Sequence, residues 1–258
     1  MASLRPLAVI AGVGNGSGTG AAAARLFSKN GYSIALIGRS HGGDSLKKFA
    51  DELNSSGGNA APFTIQAYSP DTIKSTFAAI REHFPPSSSA LTVAIYNTAF
   101  GAWKSFLDVT PEDVQESVNV NITSAFAFSR EAILAFKQNE ISKDTGKRGT
   151  LIFTGATASI RGNVTTSVFS AGKHAKRALS QSLAKEFGKD NIHVAHAIID
   201  GGIITDRTRG YRKDPEWEKD LDRRLDPESI AASYLYLANQ DRTAWTWELD
   251  LRPAHEKW

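Results

Sequence analysis

Short apolar runs alternate along the chain with longer segments in which apolar residues return every three or four positions, as buried strands alternate with amphipathic helices. The runs are AVIAG, SIALIGR, NAAPFTIQA, LTVAIYNTAFG, TLIFTG, IHVAHAII and AWTWELDLR. Helices are predicted between them over 21–30, 44–56, 71–83, 111–139, 165–189 and DPESIAASYLYLANQ, while PPSSSA reads as a loop. Runs this uniformly apolar belong to strands covered on both faces. The expected architecture is therefore α/β: a doubly wound, mainly parallel seven-stranded sheet with helices on both faces.

Two segments add detail. Thr110, Pro111 and Asp113 mark a helix start, and Val114, Val118, Ile122, Ala125, Phe126 and Ile133 then recur at helical spacing, so this face is expected to be buried. Residues 203–226, which include RTRGYRKDPEWEKDLDRR, form the one long irregular segment. Loops of this length are often lids over active sites, and Tyr211 and Trp217 are the aromatic residues available to cover a substrate.

Candidate chemistry begins at 8–27, where an apolar run breaks into glycines and becomes an Ala-rich helix. Strand, glycine turn and helix in that order aim backbone N–H groups and the positive end of a helix at a pyrophosphate. Gly12, Asn15, Gly16, Ser17 and Gly18 form this cradle, with Gly12 taking the turn, Gly16 admitting phosphate and Gly18 letting the helix pack close. The acid that usually binds a ribose 2′-hydroxyl some twenty residues on is absent; Arg39 and Ser40 stand there instead, which selects a 2′-phosphate and hence NADP(H).

Gly12, Gly16 and Gly18, spaced GxxxGxG, resemble the glycine turn of the short-chain dehydrogenase/reductase family, whose fold is of the Rossmann type. The likeness extends along nearly the whole chain: YNTA resembles the family's NNAG and retains Asn97, and VNITSAFAFSREA resembles the segment whose structural and catalytic Asn falls on Asn121. Family members carry a Ser after the fifth strand and a Tyr four residues before a Lys, the Tyr protonating a carbonyl oxygen as hydride arrives. Here Lys173 is present, but the Tyr position is Phe169 and the Ser position Ala156. The Asp that commonly holds adenine is also replaced, by the stretch Ala67, Tyr68 and Ser69. The resemblance assigns Lys173 to ribose binding and places Asp200, Gly201 and Gly202 at the family's PG, beside the nicotinamide. Thr157 and Asp200 are the remaining candidates for proton transfer.

The 258 residues, 41% apolar, suit one dinucleotide-binding domain over 1–258. A net charge of +3 with bases dispersed among acids argues against a nucleic-acid partner. No cysteine is present, and no apolar run is long enough for a signal peptide or a membrane span, so a cytoplasmic protein without a membrane partner is expected. His193 and His196 alternate with apolar residues and read as packed side chains, and no metal site is expected.

General acid catalysis contributes ~10²–10⁴-fold, so losing Ser and Tyr together cripples reduction of an unactivated ketone. The expected activity is NADPH-dependent reduction of a small activated acceptor, such as an iminium or conjugated carbonyl. The alternatives are a non-redox cyclase or isomerase built on the cofactor fold and a non-catalytic NADP-binding protein. The long helices over 111–139 and 165–189 resemble those that pair subunits in the family and imply a homodimer or homotetramer.

Overall fold

The computed structural model describes residues 4–39 and 44–256, so Ser40 lies outside the described residues. Among these, one sheet contains β1 (Arg5–Ala11), β2 (Ser33–Arg39), β3 (Asn59–Ile65), β4 (Ser89–Tyr96), β5 (Gly149–Thr154), β6 (Ile192–Ile199) and β7 (Glu248–Leu251). Their order is β3-β2-β1-β4-β5-β6-β7, and every neighbouring pair is parallel. Parallel strands need crossover connections. These are α1 (Thr19–Lys29), α2 (Ser45–Ser55), α3 (Pro70–His83), α4 (Pro111–Ser117), α5 (Ser124–Lys137), α6 (Ser167–Phe187), α7 (Asp206–Arg212), α8 (Pro215–Lys219) and α9 (Pro227–Asn239).

The sheet separates two apolar layers. On one face, Phe27 of α1, Phe49 of α2 and Ile230 and Tyr234 of α9 pack against Ile10, Leu36 and Ile95. On the other, Phe77 of α3 and Phe128 of α5 meet edge to face, with ring centroids 5.3 Å apart, above Val9, Ile37 and Leu151. β1 lies between β2 and β4, so the winding reverses beside it and opens a crevice at the carboxyl ends of these strands.

Three expectations are corrected. The single helix over 111–139 is interrupted by a π-helical stretch, Val118–Thr123, between α4 and α5. The wider π turn shifts the buried stripe to Val120, Asn121, Ala125, Phe128, Ala132 and Phe136; Val114 and Phe126 point outward at 48% and 57% exposure. Residues 203–226 are irregular only in part, because Thr205 and Asp214 accept from Thr208 N and Trp217 N and so cap the two short helices α7 and α8 within them. The last strand is four residues long, and Trp245 before it stacks on the His193 ring instead of pairing.

Candidate active site

Gly12, Gly14 and Gly16 all have positive φ (92°, 67° and 97°), which lets the backbone double back between β1 and α1. A side chain at Gly12 would place its Cβ 2.5 Å from Thr98 N, and one at Gly20 would overlap the Gly12 carbonyl oxygen. The close approach of helix to turn thus belongs to Gly20 and not to Gly18, whose added Cβ would meet only Thr205 Cγ2 at 3.7 Å. Asn97 Nδ2 donates to Gly12 O at 2.7 Å, tying the end of β4 to the turn across the crevice. Around Gly14 no atom would touch an added Cβ within 4 Å, so the outer side of the turn is open to a phosphate.

Arg39 ends β2 half-buried, its Nη1 3.0 Å from Glu116 Oε1 and its guanidinium 6.0 Å from the Tyr68 ring centroid. Tyr68 is buried beneath it, and Ser69 caps α3 by accepting from Thr72 N.

Beyond the turn, at the ends of β4, β5 and β6, lies a cavity of about 1000 Å³. Lys173, Thr157, Asp200, Gly201 and Asn97 all line it, as do Ala156 and Phe169. Lys173 is 4% exposed; Nζ donates to the Thr154 and Gly155 carbonyls at 2.9 and 3.2 Å, and burial lowers it to about 8. The Thr157 hydroxyl donates to Asp200 Oδ1. Asp200 is almost fully buried, and its Oδ2 lies 3.8 Å from Arg161 and 3.5 Å from Arg252. Trp103 packs on Phe169 with centroids 5.0 Å apart, making this wall aromatic.

The segment after β6 lines one side of the cavity. Asn15 Nδ2 donates to Asp206 Oδ2 at 3.1 Å, and Asp206 N donates to Ser17 Oγ at 3.2 Å, clasping α7 to the glycine turn. Tyr211 lines the cavity at 68% exposure. Trp217 does not cover it: at 2% exposure the indole is sandwiched under Arg212, and its Nε1 donates to Arg223 O, anchoring the segment to itself.

A family model described as enoyl-(acyl carrier protein) reductase matches residues 12–248. The chain belongs to the short-chain dehydrogenase/reductase family. It is 27% identical over 213 residues to a 3-oxoacyl-[acyl-carrier-protein] reductase of Mus musculus, covering 83% of this chain and 82% of that protein. A short-chain dehydrogenase from Rhodopseudomonas palustris has a similar structure, with a TM-score of 0.74 at 27% identity over 96% of this chain and 98% of the other. A short-chain dehydrogenase from Burkholderia cenocepacia in complex with NADP shares the fold, with a TM-score of 0.76 at 21% identity over 97% and 96% of the two chains.

In this short-chain dehydrogenase/reductase, Asn121 stands apart from the other expected catalytic residues. It is fully buried; Nδ2 donates to Phe100 O and Ser117 Oγ, and Oδ1 accepts from Phe100 N at 3.3 Å. Its amide is spent on bracing the exit of β4, and it does not line the cavity. His193 and His196 are buried in β6, burial lowering each to about 4, and His196 Nδ1 meets Glu248 Oε2 at 2.9 Å. Residues the motifs did not single out also reach the cavity, among them Arg207, Arg161 and Thr166. The Thr166 hydroxyl bonds Asn163 O and Ser170 Oγ at 2.8 and 2.9 Å. No helix among the described residues is long and apolar enough to cross a membrane.

Proposed function

We propose that this chain is an NADP(H)-dependent reductase whose acceptor is activated before hydride arrives, an iminium or a conjugated carbonyl. The observation that carries the reading is the identity of two cavity residues: beside Lys173, the wall positions are Phe169 and Ala156, neither of which can give up a proton.

The glycine turn, with its positive-φ backbone and open outer side, fits a dinucleotide phosphate. Gly12, Asn15, Gly16, Ser17 and Gly18 would hold it, with Gly201 and Asn97 bordering the nicotinamide end and Lys173 meeting the ribose by exchanging one of its two backbone carbonyls for a ribose hydroxyl. Arg39 would exchange Glu116 for the 2′-phosphate, the choice for which a bidentate guanidinium is suited. The NADP bound by the Burkholderia cenocepacia protein accords with this assignment. When bound, the cofactor supplies hydride. The chain's own residues then orient the acceptor against the wall that Phe169 and Trp103 form together and exclude water from it. An iminium accepts hydride at carbon and is neutralised by it, so no proton donor is needed at that centre; a conjugated carbonyl takes hydride at its β-carbon and leaves an enolate, which takes its proton from solvent on release.

A second reading, a non-redox isomerase or cyclase, is favoured by the Thr157–Asp200 hydrogen bond, since a hydroxyl and a carboxylate facing one cavity can relay a proton without hydride. The two are separated by following NADPH absorbance with a protonated cyclic imine, a conjugated ketone and a saturated ketone. The reductase consumes NADPH with the first two and scarcely with the third. Conversion of substrate with oxidised cofactor and no absorbance change would instead establish the isomerase.

A further inference from the structure

Helix α6 carries a second buried lysine three residues beyond Lys173. Lys176 is 0% exposed, its Nζ donates to Thr98 O at 2.8 Å, and it lies 5.5 Å from the Tyr96 ring centroid. Each amine has the other as a hydrogen-bond partner, and no carboxylate acts on either. Two neighbouring ammonium ions without a carboxylate partner cannot both persist in a buried site.

The partners decide which amine keeps the proton. An ammonium has three N–H groups to place and no lone pair; a neutral amine has two and one lone pair. Lys173 can place its three on Thr154 O, Gly155 O and the Lys176 nitrogen. Lys176 has one carbonyl, Thr98 O, and is sealed from solvent. We propose that Lys176 is a neutral amine that accepts a hydrogen bond from Lys173 and so holds Lys173 as the ammonium at the floor of the cavity. Lys176 is in this account a positioning residue, acting through Lys173.

The groups facing the pair leave this balance intact. From β4, Tyr96 is held neutral by burial, as is Tyr234 of α9, which hydrogen-bonds Thr154. From β6, His196 packs behind Gly155, where an added Cβ would lie 2.5 Å from its Nε2, and burial keeps it neutral; its partners Glu248 and Arg177 pair with each other. Tyr68 packs against Tyr96, and burial raises it as well. On the cavity side Asp200 is engaged by Thr157. Burial lowers Lys173 to about 8 and Lys176 well below the ordinary lysine range, and the hydrogen bond that Lys173 donates to Lys176 opposes the fall at Lys173.

The charge states of the two lysines are read without turnover, by following both ¹⁵Nζ signals in the full chain through a pH titration. The expected result at neutral pH is an ammonium signal for Lys173 and a neutral-amine signal for Lys176. Lys176→Met removes the acceptor and should lower the Lys173 midpoint by about one pH unit. Lys176→Gln, whose amide can accept from Lys173 and donate to Thr98 O, should restore it. A midpoint that rises in Lys176→Met would make Lys176 the cation, and an unchanged midpoint would make it a brace for Thr98; either overturns the proposal. Should the Met variant not fold, two ammonium signals or a reversed pair in the unmodified protein would overturn it equally.

Discussion

Lys173 Nζ lies over the ring of Phe169, 5.5 Å from its centroid, with the two residues one helical turn apart on α6. The buried lysine amine thus faces a π surface where a phenol would have offered both a hydrogen bond and a proton. The contact keeps the lysine oriented but removes the route by which its charge could be passed to a substrate oxygen.

Cofactor choice follows from Arg39. A charge-assisted bond to a 2′-phosphate has to displace Glu116, so the net gain is about 1.4 kcal/mol, or tenfold in affinity. NADPH should bind more tightly than NADH in fluorescence titrations, Arg39→Ala should abolish most of the difference, and Glu116→Gln should not weaken NADPH. Equal affinities in the unmodified protein would remove Arg39 from the site.

The glycine turn predicts an ordering of stabilities. Gly20→Ala forces a methyl into the Gly12 carbonyl and should cost about 1–3 kcal/mol. Gly14→Ala meets no atom but is strained by its φ of 67°, for about 1 kcal/mol. Denaturant unfolding should therefore rank Gly20→Ala below Gly14→Ala, and the reverse order would contradict the close approach at Gly20.

Acid should unfold the protein through its β6 histidines. His193 and His196 stay neutral to about 4 when folded and protonate near the ordinary histidine value when unfolded. Below about pH 6.5 the unfolded chain binds more protons, so stability is full above that value and falls towards pH 4, by up to about 3 kcal/mol per pH unit for two protons. His196→Gln should halve the slope measured by urea unfolding; an unchanged slope would refute the assignment.

Assembly is predicted from what the π turn leaves outside. Val114, Phe126 and Leu134 are 48%, 57% and 44% exposed on α4 and α5, an apolar surface that suits a closed pairing of two copies. Light scattering should show a dimer or tetramer at micromolar concentration, and Phe126→Asp should shift it towards monomer. A strict monomer in the unmodified protein would contradict the pairing.

The parallel sheet and its two faces were legible because uniform apolar runs and helical periodicity have no other arrangement that buries both. The glycine turn was legible too, although spacing alone misassigned the tight packing to Gly18, since the overlap at Gly20 depends on where the Gly12 carbonyl points. The π turn was invisible because hydrophobic periodicity presumes an unbroken 3.6-residue repeat. Lys176 left a signal that motif reading passed over: a lysine on the same face as Lys173 and the buried Leu179. The Asp206 clasp on Asn15 and Ser17 pairs residues about 190 positions apart, and no local pattern encodes it.

The most direct test restores the missing groups. In Phe169→Tyr combined with Ala156→Ser, reduction of a saturated ketone by NADPH should rise by about 10²-fold or more, while reduction of a protonated cyclic imine stays within a few fold of the unmodified protein. If the unmodified protein instead reduces the plain ketone as fast as the imine, another group, Thr157 or Asp200, is already donating the proton, and the claim that this site lacks an acid is wrong.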